Sequence, residues 1–194
     1  MSRRLVLCAC ATLLAACSSG SPVQEWHGPS PEQLVAGIRA AGAPAPGELD
    51  VQPLRDPMVE DLRVQATQFE GQQRYADAAA ALDKALALSP EDPALLQERA
   101  EIAVLQKDLD KAGALASNAY ALGAKVGPLC RRHWATIRQQ LALRQRRLEL
   151  PEGGKRLKSD AIAQWKRDQS DTNVAIAEAA RHQADCTLTG PPRY

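Results

Sequence analysis

The stretch Phe69-Glu70-Gly71-Gln72-Gln73-Arg74-Tyr75-Ala76-Asp77-Ala78 decides the fold, because the pattern around it returns 34 residues later. A period of this length accommodates two helices and a turn. It therefore predicts a helical hairpin that is repeated along the chain. The pairs related by the shift include Leu62 and Leu96, Ala66 and Ala100, Ala78 and Ala112, Ala85 and Ala119, and Leu88 and Leu122.

Start and stop signals divide the same region into helices. Acidic caps followed by proline, at Asp56-Pro57 and Asp92-Pro93, predict two helix starts. Ser89-Pro90 and Leu122-Gly123 predict two helix ends. Gly127-Pro128 opens a long segment that we expect to be helical as far as residue 150.

The period and the segment 69–78, continued by Leu82, Ala85, Leu86 and Pro90, resemble the tetratricopeptide repeat (TPR) family. The resemblance implies an all-α fold with about two and a half TPR-like helix-turn-helix repeats over residues 57–150 and a long C-terminal capping helix. Ala66 and Ala78 would be small because the paired helices cross there. The second repeat departs from the pattern, with alanine at 103, 116 and 124, and Trp134 replaces a small residue in the third. An unrelated alanine-rich helical bundle is the alternative.

In TPR proteins the first helix of each pair faces a concave groove, and the resemblance places partner-binding residues there. The clamp of the family for peptide carboxylates uses lysine and asparagine, which are missing from those positions in this chain. Arg131, Arg132 and Arg138 would either attract anions at one end of the groove or be ordinary surface residues. By register, the groove would be lined by Arg63, Thr67, Gln97, Glu101, Arg131 and Arg138.

Residues 1–16 have the pattern of an export signal. A basic start, Ser2-Arg3-Arg4, precedes an apolar run over 5–16, which is shorter than the ~20 residues of a membrane-spanning helix. Leu14-Ala15-Ala16-Cys17 resembles the lipobox of bacterial lipoproteins. This implies lipidation at Cys17 and, since Ser18 rather than Asp follows, an anchor in the inner leaflet of the outer membrane, facing the periplasm. An ordinary signal peptide cut near a cysteine is the alternative.

Two segments flank the repeats. Residues 17–56 are rich in Ser, Pro, Gly and Ala and are predicted to be a flexible linker, interrupted by one short helix between a capping box at Ser30 and Gln33 and a stop at Gly42. Residues 151–194 are predicted to be a partly helical extension, with a weakly amphipathic helix from about 159 to 184.

The charge is balanced overall but segregated along the chain. The full sequence carries a net charge of +1, and residues 3 and 4 leave with the signal, so bulk nucleic-acid binding is not expected. Residues 48–110 hold 14 acidic and 6 basic side chains, whereas 125–158 hold 10 basic and 2 acidic ones. The basic segment would be a solvated helix face or would contact an anionic surface.

Two cysteines remain after signal removal and lipidation, Cys130 and Cys186. An even pair in an oxidising compartment predicts a disulfide bond between them. Zinc bound by both thiolates with His133 and His182, or two free thiols, are the alternatives.

Motifs for catalysis are missing from the sequence. It has no glycine-rich phosphate loop, no G-x-S-x-G and no H-E-x-x-H. Repeat helices also offer no enclosed pocket. We therefore expect that the protein is not an enzyme and that it has no catalytic residues, no metal and no cofactor. Glu98 and Glu101 are interpreted as surface residues that face the groove.

These features together predict a lipid-anchored adaptor that binds another protein during envelope, secretion or pilus assembly. The alternative is a structural envelope lipoprotein whose basic helix, residues 131–158, contacts an anionic polymer or lipid headgroups. Raising the salt concentration distinguishes the two hypotheses, because binding to an anionic polymer or to headgroups should weaken steeply with ionic strength.

Overall fold

The computed structural model describes residues 28–45, 48, 54–149 and 159–187. Every regular element within these ranges is a helix, so the predicted all-α class is confirmed. The helices are α1 (Pro31–Ala41), α2 (Pro57–Gly71), α3 (Tyr75–Leu88), α4 (Pro93–Leu105), α5 (Leu109–Leu122), α6 (Pro128–Glu149) and α7 (Ser159–Asp185).

The helices from α2 to α7 pack in chain order, each against the next. The predicted caps begin several of them: the Asp56 side chain accepts from the Met58 amide at 2.8 Å, and Asp92 accepts from Ala94 at 2.8 Å. These carboxylates satisfy amide groups that the first turn of a helix leaves without partners.

The hairpins α2–α3 and α4–α5 share the same turn, displaced by 34 residues. Gln73 and Lys107 both have positive φ, 58° and 64°. The amide of Arg74 donates to the carbonyl of Phe69 at 2.9 Å, and that of Asp108 donates to Ala103 at 2.9 Å. The 34-residue period therefore corresponds to a repeated backbone geometry.

Small side chains fill the interior of these hairpins. Ala66, Ala78, Ala100 and Ala112 are all buried, at the positions related by the period. Without bulky side chains, helix backbones can approach closely, and each larger neighbour such as Leu82 fits a gap beside the contact.

Helix α1 corresponds to the short helix predicted between Ser30 and Gly42, but it belongs to the core and does not merely interrupt a spacer. The capping box is present, with the Ser30 amide donating to Gln33 Oε1 at 2.8 Å. However, Leu34, Val35 and Ile38 are buried in the main core, and α1 packs against α4 and α6. The reason is that these three apolar residues lie on one side of the helix and bury their area against the repeats.

The capping role predicted for α6 is also wrong, because α7 covers it. The ring of Trp134 on α6 stacks on His182 of α7, with centroids 4.5 Å apart. Cys130 at the start of α6 is joined to Cys186 just beyond α7 by a disulfide bond. The predicted helix over 159–184 corresponds to α7 and forms the outer layer at this end.

No helix among the described residues has the length and hydropathy to cross a membrane. The predicted export signal over 1–16 and the predicted lipidation site, Cys17, lie outside the described residues.

Replacing Ala78 with Leu should lower the free energy of unfolding by about 1–3 kcal/mol, because Ala78 is completely buried in the core and the added atoms would overpack it. Urea denaturation measures the change. Ala76→Leu is the matched control, since Ala76 is exposed on α3 and should leave stability nearly unchanged. Equal stability of the two variants would contradict the proposed packing register.

Candidate partner-binding cleft

A cleft of about 370 Å³ opens where the C-terminal end of α1 meets α2, α4 and α6. Its floor is apolar and is formed by Ala66, Leu82 and Ile102. Its rim is formed by polar side chains and one glycine: Arg39, Gly42, Arg63, Thr67, Glu70, Glu98 and Arg132.

Arg63 crosses from α2 to α4 at the rim. Its Nε donates to Glu98 Oε2 at 2.9 Å, and it makes a second contact with the other oxygen of Glu98. It also pairs with Glu60 on its own helix at 2.7 Å. The hydrogen bonds with Glu98 raise the pKa of Arg63 above its usual range. The guanidinium therefore links the two repeat hairpins across the cleft.

Arg39 of α1 is held by two carboxylates. It forms a bidentate pair with Glu70, at 2.8 and 3.0 Å, and its Nε donates to Glu101 Oε2 at 2.8 Å. Burial opposes its charge, but the bonds with Glu70 and the attraction of Glu101 raise the pKa of Arg39 overall. Charge-assisted bidentate pairs are among the strongest polar contacts in proteins. This pair attaches α1 to the wall of the cleft.

Glu101 lies beneath Arg39 with 0 % of its surface exposed. Its Oε1 accepts from Arg132 of α6, at 3.0 and 2.5 Å, and from the Gln97 amide at 2.9 Å. A buried carboxylate is costly unless it is both paired and hydrogen-bonded. Here both conditions are met, by side chains from three different helices.

The polar network continues from Gln97 to α6. The Gln97 amide nitrogen also donates to Thr136 Oγ1 at 2.9 Å, so its oxygen must accept from His133 Nδ1, at 2.8 Å. His133 is therefore protonated on Nδ1, and its Nε2 has no hydrogen-bond partner among the described residues. Burial, then the charges of Arg132 and Lys125, lower the pKa of His133 to about 3.

The structure brings only two of the six predicted groove residues to the cleft, Arg63 and Thr67. Gln97 and Glu101 are buried, and Arg131 is largely buried. Their assignment to an open groove is wrong, because each is bonded inside the fold: Gln97 to α6, Glu101 to α1 and α6, and Arg131 to the end of α1. Arg138 is half-buried and does not line the cleft.

Arg131 binds the chain that follows α1. Its guanidinium donates to the carbonyls of Ala41 and Ala43, at 3.1 and 2.9 Å, and pairs with Glu48 at 2.6 and 2.7 Å. These bonds with Arg131 lower the pKa of Glu48 to about 2. The residue expected to attract an external anion is thus neutralised within the chain.

Sequence reasoning missed Arg39 and Glu70 as rim residues. The available signal was the spacing of Leu34, Val35 and Ile38, which is that of an amphipathic helix needing a surface to cover. Arg39 follows this stripe directly. Its partners, Glu70 and Glu101, are too distant in sequence for any local pattern to predict the contact.

The disulfide bond between Cys130 and Cys186 excludes the alternative of a thiolate zinc site, since neither sulfur is free to bind the ion. The two histidines of that hypothesis have other neighbours: His133 bonds Gln97, and His182 stacks on Trp134. Among the described residues there is no cluster of three or more side chains suited to a metal ion.

Replacing His133 with Gln should flatten the pH dependence of stability. The unfolded chain protonates this side chain near pH 6.5 and the folded chain only near pH 3. Its contribution to stability is therefore complete above pH 6.5 and is lost as the pH falls towards 3. Between pH 7 and pH 5 the wild type should lose about 2 kcal/mol more than the variant.

Urea denaturation of both proteins at the two pH values measures this difference. Carboxylates titrate mainly below pH 5 and are common to both chains, so they cancel in the comparison. An equal loss in the two proteins would show that His133 is not kept neutral by burial.

The cleft combines an apolar floor with a rim whose charges are already paired. Such a surface suits a protein segment, which contributes apolar contacts and its own polar groups, better than it suits a small ion. Comparison of the chain with protein-family models, with curated proteins and with solved structures found no significant match.

Proposed function

We propose that this protein is a non-catalytic adaptor, anchored by lipid on Cys17 to the inner leaflet of the outer membrane and facing the periplasm. Its helical hairpins act as a TPR-like module that binds another protein during envelope, secretion or pilus assembly. The 34-residue repeat of sequence and backbone geometry supports the TPR-like assignment. The lipobox-like residues 14–17 support the anchor.

The observation that carries the binding function is the cleft between α1, α2, α4 and α6. Arg63, Glu98 and Glu70 stand around an apolar floor that no side chain of the described chain fills. A partner segment can bury apolar side chains there while it exchanges polar contacts with the rim, as protein interfaces commonly do. Thr67 is exposed beside this opening and is well placed to report on an occupant.

The alternative, contact of the basic segment 131–158 with an anionic polymer or headgroups, has less support. Arg131 and Arg132 already have acidic partners inside the fold, Glu48 and Glu101. Arg144 and Arg146 are exposed further along α6. A few exposed arginines on one helix are also the ordinary composition of a solvated face.

The anchor is tested by replacing Cys17 with Ser in the full-length precursor. The unacylated protein should move from the membrane fraction to the soluble fraction, because stable attachment by this route requires acyl chains. Cys10→Ser is the matched control, since that cysteine lies inside the expected signal and should leave attachment intact. Continued membrane association of the Cys17 variant would contradict lipid anchoring.

The adaptor function is tested in cells with a photo-crosslinking residue in place of Thr67. We expect it to capture a defined partner protein, identified by mass spectrometry. Lys84, exposed on α3, provides the control position and should not capture the same protein.

The captured complex, rebuilt from purified components, should persist in roughly 0.5 M salt, because apolar contacts on the cleft floor are not screened. Capture of the same proteins from both positions would contradict a specific cleft. Collapse of the complex in salt would favour the polyelectrolyte alternative.

A further inference from the structure

Helix α1 lies antiparallel along α6, as three glycines on one side and three α6 side chains on the other show. A Cβ atom on Gly28 would lie 3.0 Å from Leu143, and one on Gly37 would lie 3.8 Å from Gln139. At Gly42 an added Cβ would come within 2.3 Å of the Arg132 side chain. Only glycine allows the end of α1 to approach α6 this closely.

The contact is that of an amphipathic helix on a receptor surface. Leu34, Val35 and Ile38 face the repeats and are 0–3 % exposed, whereas Ala36 and Ala40 face solvent. Leu34 and Ile38 are four residues apart and Val35 and Ile38 are three apart, and both spacings occur among the anchors of helices that bind in grooves.

The C-terminal end of α1 is recognised by charge. Arg131 donates to the carbonyls of Ala41 and Ala43, which the end of a helix leaves without internal partners. The positive charge of Arg39 is paired with the carboxylates of Glu70 and Glu101. The surface therefore selects a helix that ends in exposed carbonyls and carries a basic residue just after its last apolar anchor.

The surface under α1 is unusually polar for a permanent core. Glu101 of α4 is fully buried there against Arg39 of α1, and Gln97 and Thr136, also buried, connect it to α6. Surfaces that are covered only part of the time are typically more polar than cores, because they must also face water. This composition fits a face that α1 can vacate.

Helix α1 is short and is separated from α2 by a long connection. It has 11 residues, and isolated helices shorter than ~12–15 residues are marginal in water. Fifteen residues, 42–56, separate it from α2, and a chain of that length can extend to ~50 Å. Its departure would leave the packing of α2 on α3 and of α4 on α5 in place.

We propose that the face of α4 and α6 beneath α1 is a receptor site for an amphipathic helix of a partner protein, and that α1 occupies it in its absence. The partner helix carries apolar side chains with the spacing of Leu34, Val35 and Ile38 and a basic residue in the place of Arg39. This inference rests on the proposed adaptor function and names the segment that the module binds: the partner helix takes the place of α1, which is one wall of the cleft, and lies beside the cleft floor.

The test measures binding of a fluorescent synthetic peptide, residues 28–45, to the Cys17→Ser chain by anisotropy. Ile38→Asp in the chain weakens α1 without touching the receptor face, so the peptide should bind this variant at least tenfold more tightly than the parent chain. A peptide carrying the same Ile38→Asp change should not bind. Ala36→Asp in the chain changes the exposed side of α1, so this variant should bind the peptide with the same affinity as the parent chain.

Equal affinity for the parent and the Ile38→Asp chain would overturn the proposal. So would cooperative loss of the remaining helices in that variant, seen by circular dichroism, because α1 would then be an integral core element. If the peptide fails but the crosslink at Thr67 still captures a partner, the adaptor function stands and only the helix-receptor proposal falls.

Two measurements on the parent chain complete the test. In native-state hydrogen exchange, amides of α1 should open with a lower free energy than those of α4. Protection of α1 equal to that of α4 would overturn the proposal. Sedimentation should show that the parent chain is a monomer. A dimer that dissociates on the Ile38→Asp change would show that α1 of a second copy occupies the receptor face. That result would overturn the assignment to another protein.

Discussion

The arrangement of the helices depends on supplying partners to one buried carboxylate, that of Glu101. Removing a carboxylate from water costs several kcal/mol unless opposite charges and hydrogen bonds replace the solvent. Arg39, Arg132 and Gln97 do so here, and they belong to α1, α6 and α4. Because the three partners come from three helices, satisfying this one side chain fixes where those helices lie relative to one another.

Buried alanines allow the close packing of helices in the hairpins α2–α3 and α4–α5. The buried alanines at 66, 78, 100 and 112 let paired helices approach closely, and the same turn follows α2 and α4. Short distances between backbones bring long side chains such as Arg63 within reach of the neighbouring hairpin. The apolar repeat and the polar cleft are therefore two consequences of one packing scheme.

Much of the local structure could be predicted, and much of the site could not. The capping box at Ser30, the aspartate caps before α2 and α4 and the stop after Leu122 all correspond to helix ends. Arg63 and Thr67, which were predicted to face a groove, line the cleft. Gln97, Glu101 and Arg131 were placed on an open groove, but distant contacts bury them: Gln97 bonds α6, Glu101 bonds α1 and α6, and Arg131 bonds the end of α1.

Local sequence patterns specify where the helices begin and end and which of their sides are apolar, since these depend on hydrogen bonds and spacings within a few residues. Packing between helices distant in sequence settles which surface of α4 and α6 is covered by α1 and which charges meet. Arg131 binds a carbonyl 90 residues away, and Arg39 meets a carboxylate 62 residues away. Contacts at such separations arise from the sum of many packing choices, so no local pattern of residues encodes them singly.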